Sequence, residues 1–184
     1  ETADNFIQDY MVQLDPNDNT AIQGYVTLSG ADIAARKMRI LIPELKINEE
    51  IVTDSVGTAR IHFRNTKIKY WSTENPHLYT VTFKTEEDEI TDYIGFRTIK
   101  TKDQNILLNG KELFLRGISI HEESPVRHGR AYSMDDAQQL LSRAKELGCN
   151  FVRLAHYPHN EHMVRLADKM GILVWEEIPV YWTI

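Results

Sequence analysis

The chain has 184 residues, 42% hydrophobic and 26% charged, with a formal net charge of −6. That is the composition of a folded globular protein with one large or two small domains. The acidic balance, with no cluster of Lys and Arg, excludes a nucleic-acid partner, and the longest apolar runs fall far below the ~18 residues that suggest a membrane span. The single cysteine, Cys149, rules out an intrachain disulfide and leaves the redox compartment unread. The chain opens Glu1-Thr2-Ala3-Asp4, with no initiator Met, basic n-region or apolar h-region. This predicts a piece of a longer protein, although a mature chain after signal removal would open in the same way.

Before residue 100, apolar residues recur at every second position. Val12 and Leu14 do so, as do Met38, Ile40 and Ile42, then Ala59, Ile61 and Phe63, then Ile68 and Tyr70, then Tyr79, Val81 and Phe83. Period two marks strands with one buried face. Turn-forming clusters separate the runs at Asp15–Asn19, Ser29-Gly30, Ser55–Gly57 and Glu86–Asp88. Seven or eight short strands with no helix predict a β-sandwich.

After residue 100 strands alternate with helices. Asn109-Gly110, set between Ile106–Leu108 and Leu113–Leu115, accepts the positive φ of a tight hairpin turn. A buried strand then runs on to Ile120. Ser133 and Asp136 have the spacing of a capping box, ahead of a helical stripe of Ala137, Leu140, Leu141, Ala144 and Leu147 that ends at Gly148. Phe151 to Ala155 is a second strand, Met163, Leu166, Ala167 and Met170 mark a second helix stopped by Gly171, and Ile172 to Glu176 is a third strand. The order β-α-β-α-β predicts parallel strands of either a doubly wound domain or a barrel. No glycine-rich phosphate loop follows the first strand, which disfavours a nucleotide-binding domain.

In parallel α/β folds chemistry collects at the C-terminal strand ends. Here the ends carry His121-Glu122-Glu123, then Arg153 and His156, then Glu176-Glu177. Three polar ends together predict one shared pocket. Each residue also has a plainer reading. Arg153 could form a structural ion pair with Glu122 or Glu177, and His121 could be a cap or loop histidine. Glu123 and Glu176 read as solvated or structural, and His128, His159 and His162 as surface residues. The spacing of His156, His159 and His162 invites a zinc site, but no acidic or Cys ligand keeps register with them, so no metal is expected.

Trp71-Ser72-Thr73-Glu74-Asn75-Pro76-His77-Leu78-Tyr79, Gly95–Ile99, Leu108–Lys111, Leu115–Glu122, Asn150–Pro158 and Asp168–Glu177 occur in this order along the chain. Together they resemble glycoside hydrolase family 2, which includes β-galactosidases and β-glucuronidases. Thr73 and Ala155 depart from the proline and serine usual in that pattern. The resemblance implies an immunoglobulin-like β-sandwich over 1–99, followed by the N-terminal part of a (β/α)8 TIM barrel over 100–184. It implies a fragment of a retaining β-glycosidase that hydrolyses O-glycosidic bonds in carbohydrate metabolism, with a β-glycoside as partner. His121, Glu122, Arg153, His156 and Glu177 would line the sugar pocket, binding hydroxyls or holding neighbouring side chains. Ile178-Pro179-Val180-Tyr181-Trp182 stands where magnesium-binding members carry further ligands, so no cofactor is expected.

Retaining glycosidases need two carboxyl groups about 5–5.5 Å apart. In this family they follow the fourth barrel strand and a later one, so the chain is expected to hold no catalytic carboxylate and to be inactive alone. Pairing Glu122 with Glu177 is the less favoured alternative. A non-catalytic carbohydrate-binding or domain-packing module is a second reading, with Tyr70, Trp71 and Tyr79 offered to sugar faces; at period two these rings pack a core instead. A three-stranded sheet cut from a barrel exposes an edge and an apolar face, which predicts a homo-oligomer. The sugar, the linkage and the choice between cytoplasm and periplasm are not encoded in these features.

Overall fold

The structure is a computed structural model and describes residues 3–179. It divides into two compact units, residues 1–70 with 77–99, and residues 71–76 with 100–184.

The first unit holds seven strands: β1 (Asn5–Leu14), β2 (Ala21–Gly30), β3 (Lys37–Ile42), β4 (Ile47–Val52), β5 (Thr58–Arg64), β6 (Tyr79–Lys84) and β7 (Glu89–Ile94). They form two antiparallel sheets of order β1-β2-β5 and β4-β3-β6-β7. Alternation along each strand sends one row inward. Ile22, Val26 and Ile61 from one sheet and Met38, Ile40, Val81 and Phe83 from the other join a single buried cluster, the arrangement of a sandwich. Ile68 and Tyr70, whose spacing predicts a strand, lie in a segment without regular structure. The reason is local. Asn65 ends β5 by accepting the Lys67 N–H on its own side chain at 2.8 Å, and Lys69 N–H donates to the Tyr79 hydroxyl at 2.7 Å instead of to a neighbouring strand. Both side chains still pack on the core.

The second unit begins with a small sheet of order β10-β9-β8, built from β8 (Ile99–Lys102), β9 (Asn105–Leu108) and β10 (Lys111–Leu113). Asn109 and Gly110 make the β9–β10 turn with φ of 53° and 78°, as the hairpin reading expects. The strand foreseen through to Ile120 is interrupted at residues 114–116 and resumes as β11 (Gly117–Ile120). At the break the Asn150 side chain accepts from Arg116 N–H at 2.8 Å and donates to the Phe114 carbonyl at 3.0 Å, taking the place of ladder bonds. Then follow α1 (Met134–Glu146), β12 (Phe151–Leu154), α2 (Glu161–Met170) and β13 (Leu173–Glu176). β11, β12 and β13 form a parallel sheet in sequence order.

Both halves of the Ser133–Asp136 capping box are formed. The apolar stripe of α1 buries Ala137, Leu141 and Ala144, but Leu147 is 71% exposed. Leu147 is the C-cap, its N–H still bonded to the Arg143 carbonyl, and the chain turns away at Gly148 directly after it, with φ of 77°. Gly171, with φ of 70°, ends α2.

Asp136 is buried and gathers Arg127, the Ser133 hydroxyl and the Tyr132 and Ser133 N–H groups on one carboxylate oxygen. The Arg127 hydrogen bond above all, then those from Ser133 and Tyr132, hold its carboxyl well below the ordinary 3.8 despite desolvation pushing the other way. A lowered folded-state pKa contributes stability above the ordinary value and loses it as pH falls below that value. Asp136→Asn is therefore expected to leave the α1 amides faster-exchanging than in wild type at neutral pH, with a smaller difference at low pH, where the unfolded carboxyl takes up its proton first. Hydrogen exchange at pH 7 and at about pH 3 checks this, and equal protection of the two proteins at pH 7 would contradict it.

Candidate functional site

The site follows from the parallel register. Ser119 lies opposite Arg153, which lies opposite Trp175, and Ile120 lies opposite Leu154, which lies opposite Glu176. Ile120, Val152 and Leu154 pack with Leu141, Ala144 and Leu166 of the helices. Successive side chains alternate faces, so Ser119, Arg153 and Trp175 form a row on the face turned away from the helices.

At the strand ends this row closes into a polar cluster. Arg153 Nε donates to Glu177 Oε1 at 2.8 Å, and Arg153 Nη1 reaches the Ser119 hydroxyl at 3.4 Å. His156 Nδ1 lies 3.1 Å from Glu177 Oε2 and 3.1 Å from Arg153 Nη2. One ring nitrogen cannot serve both: it donates to the carboxylate when it carries the proton and accepts from the guanidinium when it does not. The hydrogen bond from Arg153 first, and His156 after it, hold the Glu177 carboxyl below its ordinary value, while desolvation acts in the opposite direction. The His121 ring meets the His156 ring edge-on at 5.3 Å and lies 6.5 Å from Tyr157. The Ala155–His156 peptide is cis.

Glu122 is placed differently. Its side chain is 1% exposed and accepts from Arg130 Nε and from the backbone N–H of Asn160. Asn160 is the N-cap of α2. Glu122 therefore ties the end of β11 to the loop before α1 and to the start of α2, and holds neighbours rather than facing solvent. Of the two ion-pair partners that the sequence allows Arg153, the structure selects Glu177.

The remaining histidines separate. His159, expected at the surface, is 7% exposed. Its Nε2 donates to the Ala155 carbonyl at 3.0 Å, its N–H donates to Glu176 at 2.8 Å, and its ring stacks on Tyr157 at 5.4 Å. The chain bends at His156 and Tyr157, and the bonds to Glu176 and Ala155 hold His159 in the interior. With His156 directed to Glu177 and His159 to Ala155, the trio spaced by three residues does not converge. Among the described residues no group of three or more His, Cys, Asp or Glu is arranged to hold a metal ion. Val180, Tyr181 and Trp182 lie outside the described residues.

The rings considered for stacking on sugars are engaged elsewhere. Trp71 is fully buried and donates from Nε1 to the Asp168 carbonyl at 2.8 Å. Tyr79 lies in the sandwich core. Sequence reasoning did not single out Arg130 or Ser119. Arg130 sits in a polar loop beside Gly129 with no periodic signal, and only its partnership with buried Glu122 reveals it.

Residues 5–97 match the family described as "Glycosyl hydrolases family 2", and residues 99–182 match "Glycosyl hydrolases family 2, TIM barrel domain". A protein of Formosa agariphila named as a beta-glucuronidase is 41% identical over 130 residues, 67% of this chain and 16% of that protein. The beta-glucuronidase of Bifidobacterium dentium, solved in complex with coumarin-3-O-glucuronide, superposes with a TM-score of 0.84 at 25% identity, over 96% of this chain and 31% of that one. A beta-galacturonidase of Eisenbergiella tayi, solved with glycerol, gives 0.77 at 28% identity, over 97% of this chain and 33% of that one. This chain spans a third or less of each of these proteins. Two adjoining matches that together take in nearly all of its residues show that the chain belongs to glycosyl hydrolase family 2.

Proposed function

We propose that the chain is the sandwich domain and the first three barrel strands of a retaining β-glycosidase acting on β-galactosides or β-glucuronides. The observation that carries this reading is the convergence of Arg153, His156 and Glu177 from two neighbouring parallel strand ends, with His121 from a third. Sugar hydroxyls both donate and accept, so a wall with a guanidinium, an imidazole and a carboxylate can satisfy them in pairs. Glu177 is only partly buried and can exchange a protein partner for a substrate hydroxyl. Glu122 is enclosed and keeps the wall in place from behind.

The bond-breaking carboxylates come from elsewhere in the barrel on this reading. Glu177 is committed to Arg153 and His156, and Glu122 to Arg130 and Asn160. Neither is available as an acid that gives up its proton to the leaving oxygen, nor as a nucleophile for the anomeric carbon. The competing reading, a sugar-binding module built on aromatic faces, loses support from the burial of Trp71 and Tyr79.

Three outcomes are expected. The 184-residue chain alone should not turn over 4-nitrophenyl β-D-galactoside or β-D-glucuronide, and measurable release of nitrophenol would overturn the assignment of the acid and nucleophile to other strands. In the full-length protein, Glu177→Gln should lower kcat/KM by about 10²-fold, the scale of a displaced substrate-positioning group, with little change in Tm. An unchanged kcat/KM would remove Glu177 from the substrate wall. Third, Trp175 and Ile178 are 60% and 71% exposed, and such apolar surface favours association. The isolated chain should therefore sediment as a homo-oligomer, and a monodisperse monomer in dilute solution would contradict this.

A further inference from the structure

β12 ends at Leu154, but the next residue is still interior: Ala155 is 1% exposed. Both of its backbone polar groups need partners, since a buried N–H or carbonyl left unpaired is costly. The N–H donates along the sheet to the Ile120 carbonyl at 3.0 Å. At the carbonyl a side chain takes over from the ladder: His159 Nε2, four residues on, donates to it at 3.0 Å. The bond falls where the chain bends at His156 and Tyr157. Resting on the reading above of His156 and Glu177 as parts of a sugar-binding wall, we infer that His159 is a positioning residue, which touches no substrate itself and holds His156 toward Glu177 through the Ala155 carbonyl.

The imidazole is suited to this bond rather than to filling space. A carbonyl only accepts, so the ring carries its proton on Nε2. The other nitrogen, Nδ1, is buried and has no hydrogen-bond partner among the described residues. An aliphatic side chain would occupy the same interior position without burying a bare ring nitrogen, so the Nε2 donor is what the histidine adds. The donor is also held still. The His159 N–H donates to Glu176 at 2.8 Å, and the ring stacks on Tyr157 at 5.4 Å. The following residue, Asn160, heads α2 and donates its own N–H to buried Glu122. His159 and Asn160 thus join the ends of β11, β12 and β13.

The Ala155 carbonyl and the His156 N–H belong to one planar peptide unit. A bond that fixes the carbonyl therefore fixes the plane from which the His156 side chain departs. The His156 side chain is 32% exposed, so it relies on that plane for its direction. Without the His159 bond the plane is free to turn, and His156 Nδ1 leaves its place 3.1 Å from Glu177 Oε2 and 3.1 Å from Arg153 Nη2. Displacements of this kind are costly in a site that works by orientation.

The test is a double-mutant cycle on positions 156 and 159 of the full-length protein, with 4-nitrophenyl β-D-galactoside and β-D-glucuronide as substrates. His159→Leu, which has no donor, is expected to lower kcat/KM by about 10-fold or more. His159→Gln, whose amide can again donate to the Ala155 carbonyl, is expected to recover most of that loss. On a His156→Ala background, His159→Leu should cost no further activity beyond about twofold. A loss of the same size with His156 absent would overturn the inference, as would no loss in His159→Leu or no recovery in His159→Gln. Should His159→Leu fail to fold, His159→Asn takes its place, since the amide of the shorter side chain falls short of the carbonyl. Crystal structures of the wild-type and variant proteins give a readout independent of activity. His156 Nδ1 beyond hydrogen-bond reach of Glu177 in the variant supports the inference, and His156 unmoved at 3.1 Å overturns it. Absence of wild-type turnover on both glycosides would overturn the glycosidase reading, and the crystallographic comparison alone would then decide whether His159 holds His156.

Discussion

The register of three short parallel strands governs everything else in the second unit. β11, β12 and β13 are four residues each, and a slip of one residue would turn Arg153 toward the helices and Leu154 toward water. Magnitudes show which side of the sheet sets the register. Fully burying an aliphatic side chain contributes roughly 1.5–3 kcal/mol, and Ile120, Val152 and Leu154 are all buried against α1 and α2. A partly exposed pair such as Arg153 with Glu177 contributes about 0–1 kcal/mol. The apolar face therefore fixes the alignment, and the polar cluster is its consequence. The cluster is left with partly exposed partners that contribute little to the alignment.

Glu122 and Glu177 show how position separates two chemically identical side chains. Both follow the end of a parallel strand. Glu177 lies on the face turned from the helices, is partly exposed, and shares its two oxygens between Arg153 and His156. Glu122 turns inward, where a carboxylate is tolerated only with full compensation. It obtains this from the Arg130 guanidinium and from the Asn160 N–H at the head of α2. A helix N-terminus favours negative charge, so burial of Glu122 serves the helix as well as the loop. One glutamate is enclosed and ties a loop and a helix start to the strand end, and the other stays partly exposed beside Arg153 and His156.

The elements with strong periodicity were legible in the sequence because each depends on its own residues. Met38, Ile40 and Ile42 mark β3, Ser133 and Asp136 cap α1, and Gly171 stops α2, and each signal sits within a few positions of what it determines. Ile68 and Tyr70 have the same spacing as a strand, yet the Asn65 side chain turns the chain before a ladder can form. Leu147 misled for a related reason, since helical periodicity does not say on which residue the last turn ends. At the site, the grouping of Arg153, His156 and Glu177 could be anticipated from strand ends alone. The choice of Arg153 between two glutamates could not, because it depends on which way each carboxylate leaves its strand. The burial of His159 and the role of Arg130 depend likewise on loops that carry no periodic pattern.

The segment Trp71–Pro76 complicates any reading of the chain as two successive blocks. It lies between β5 and β6 of the sandwich in sequence but belongs to the second compact unit. Trp71 donates to the Asp168 carbonyl near the end of α2, and the Asn109 side chain donates to the Trp71 carbonyl at 2.9 Å. Gly171 is required twice over: its φ is positive, and a Cβ there would lie 2.5 Å from the Thr73 carbonyl oxygen. The end of α2 has thus been shaped around backbone contributed from about a hundred positions upstream. A chain cut between the last sandwich strand and residue 100 would keep every strand and both helices of the second unit. It would nevertheless lose a fully buried indole, whose removal from a core costs about 3–5 kcal/mol, a large part of the stability that a small domain has in total. The second unit therefore depends for its packing on residues encoded within the first, which ties its formation to the presence of the sandwich sequence.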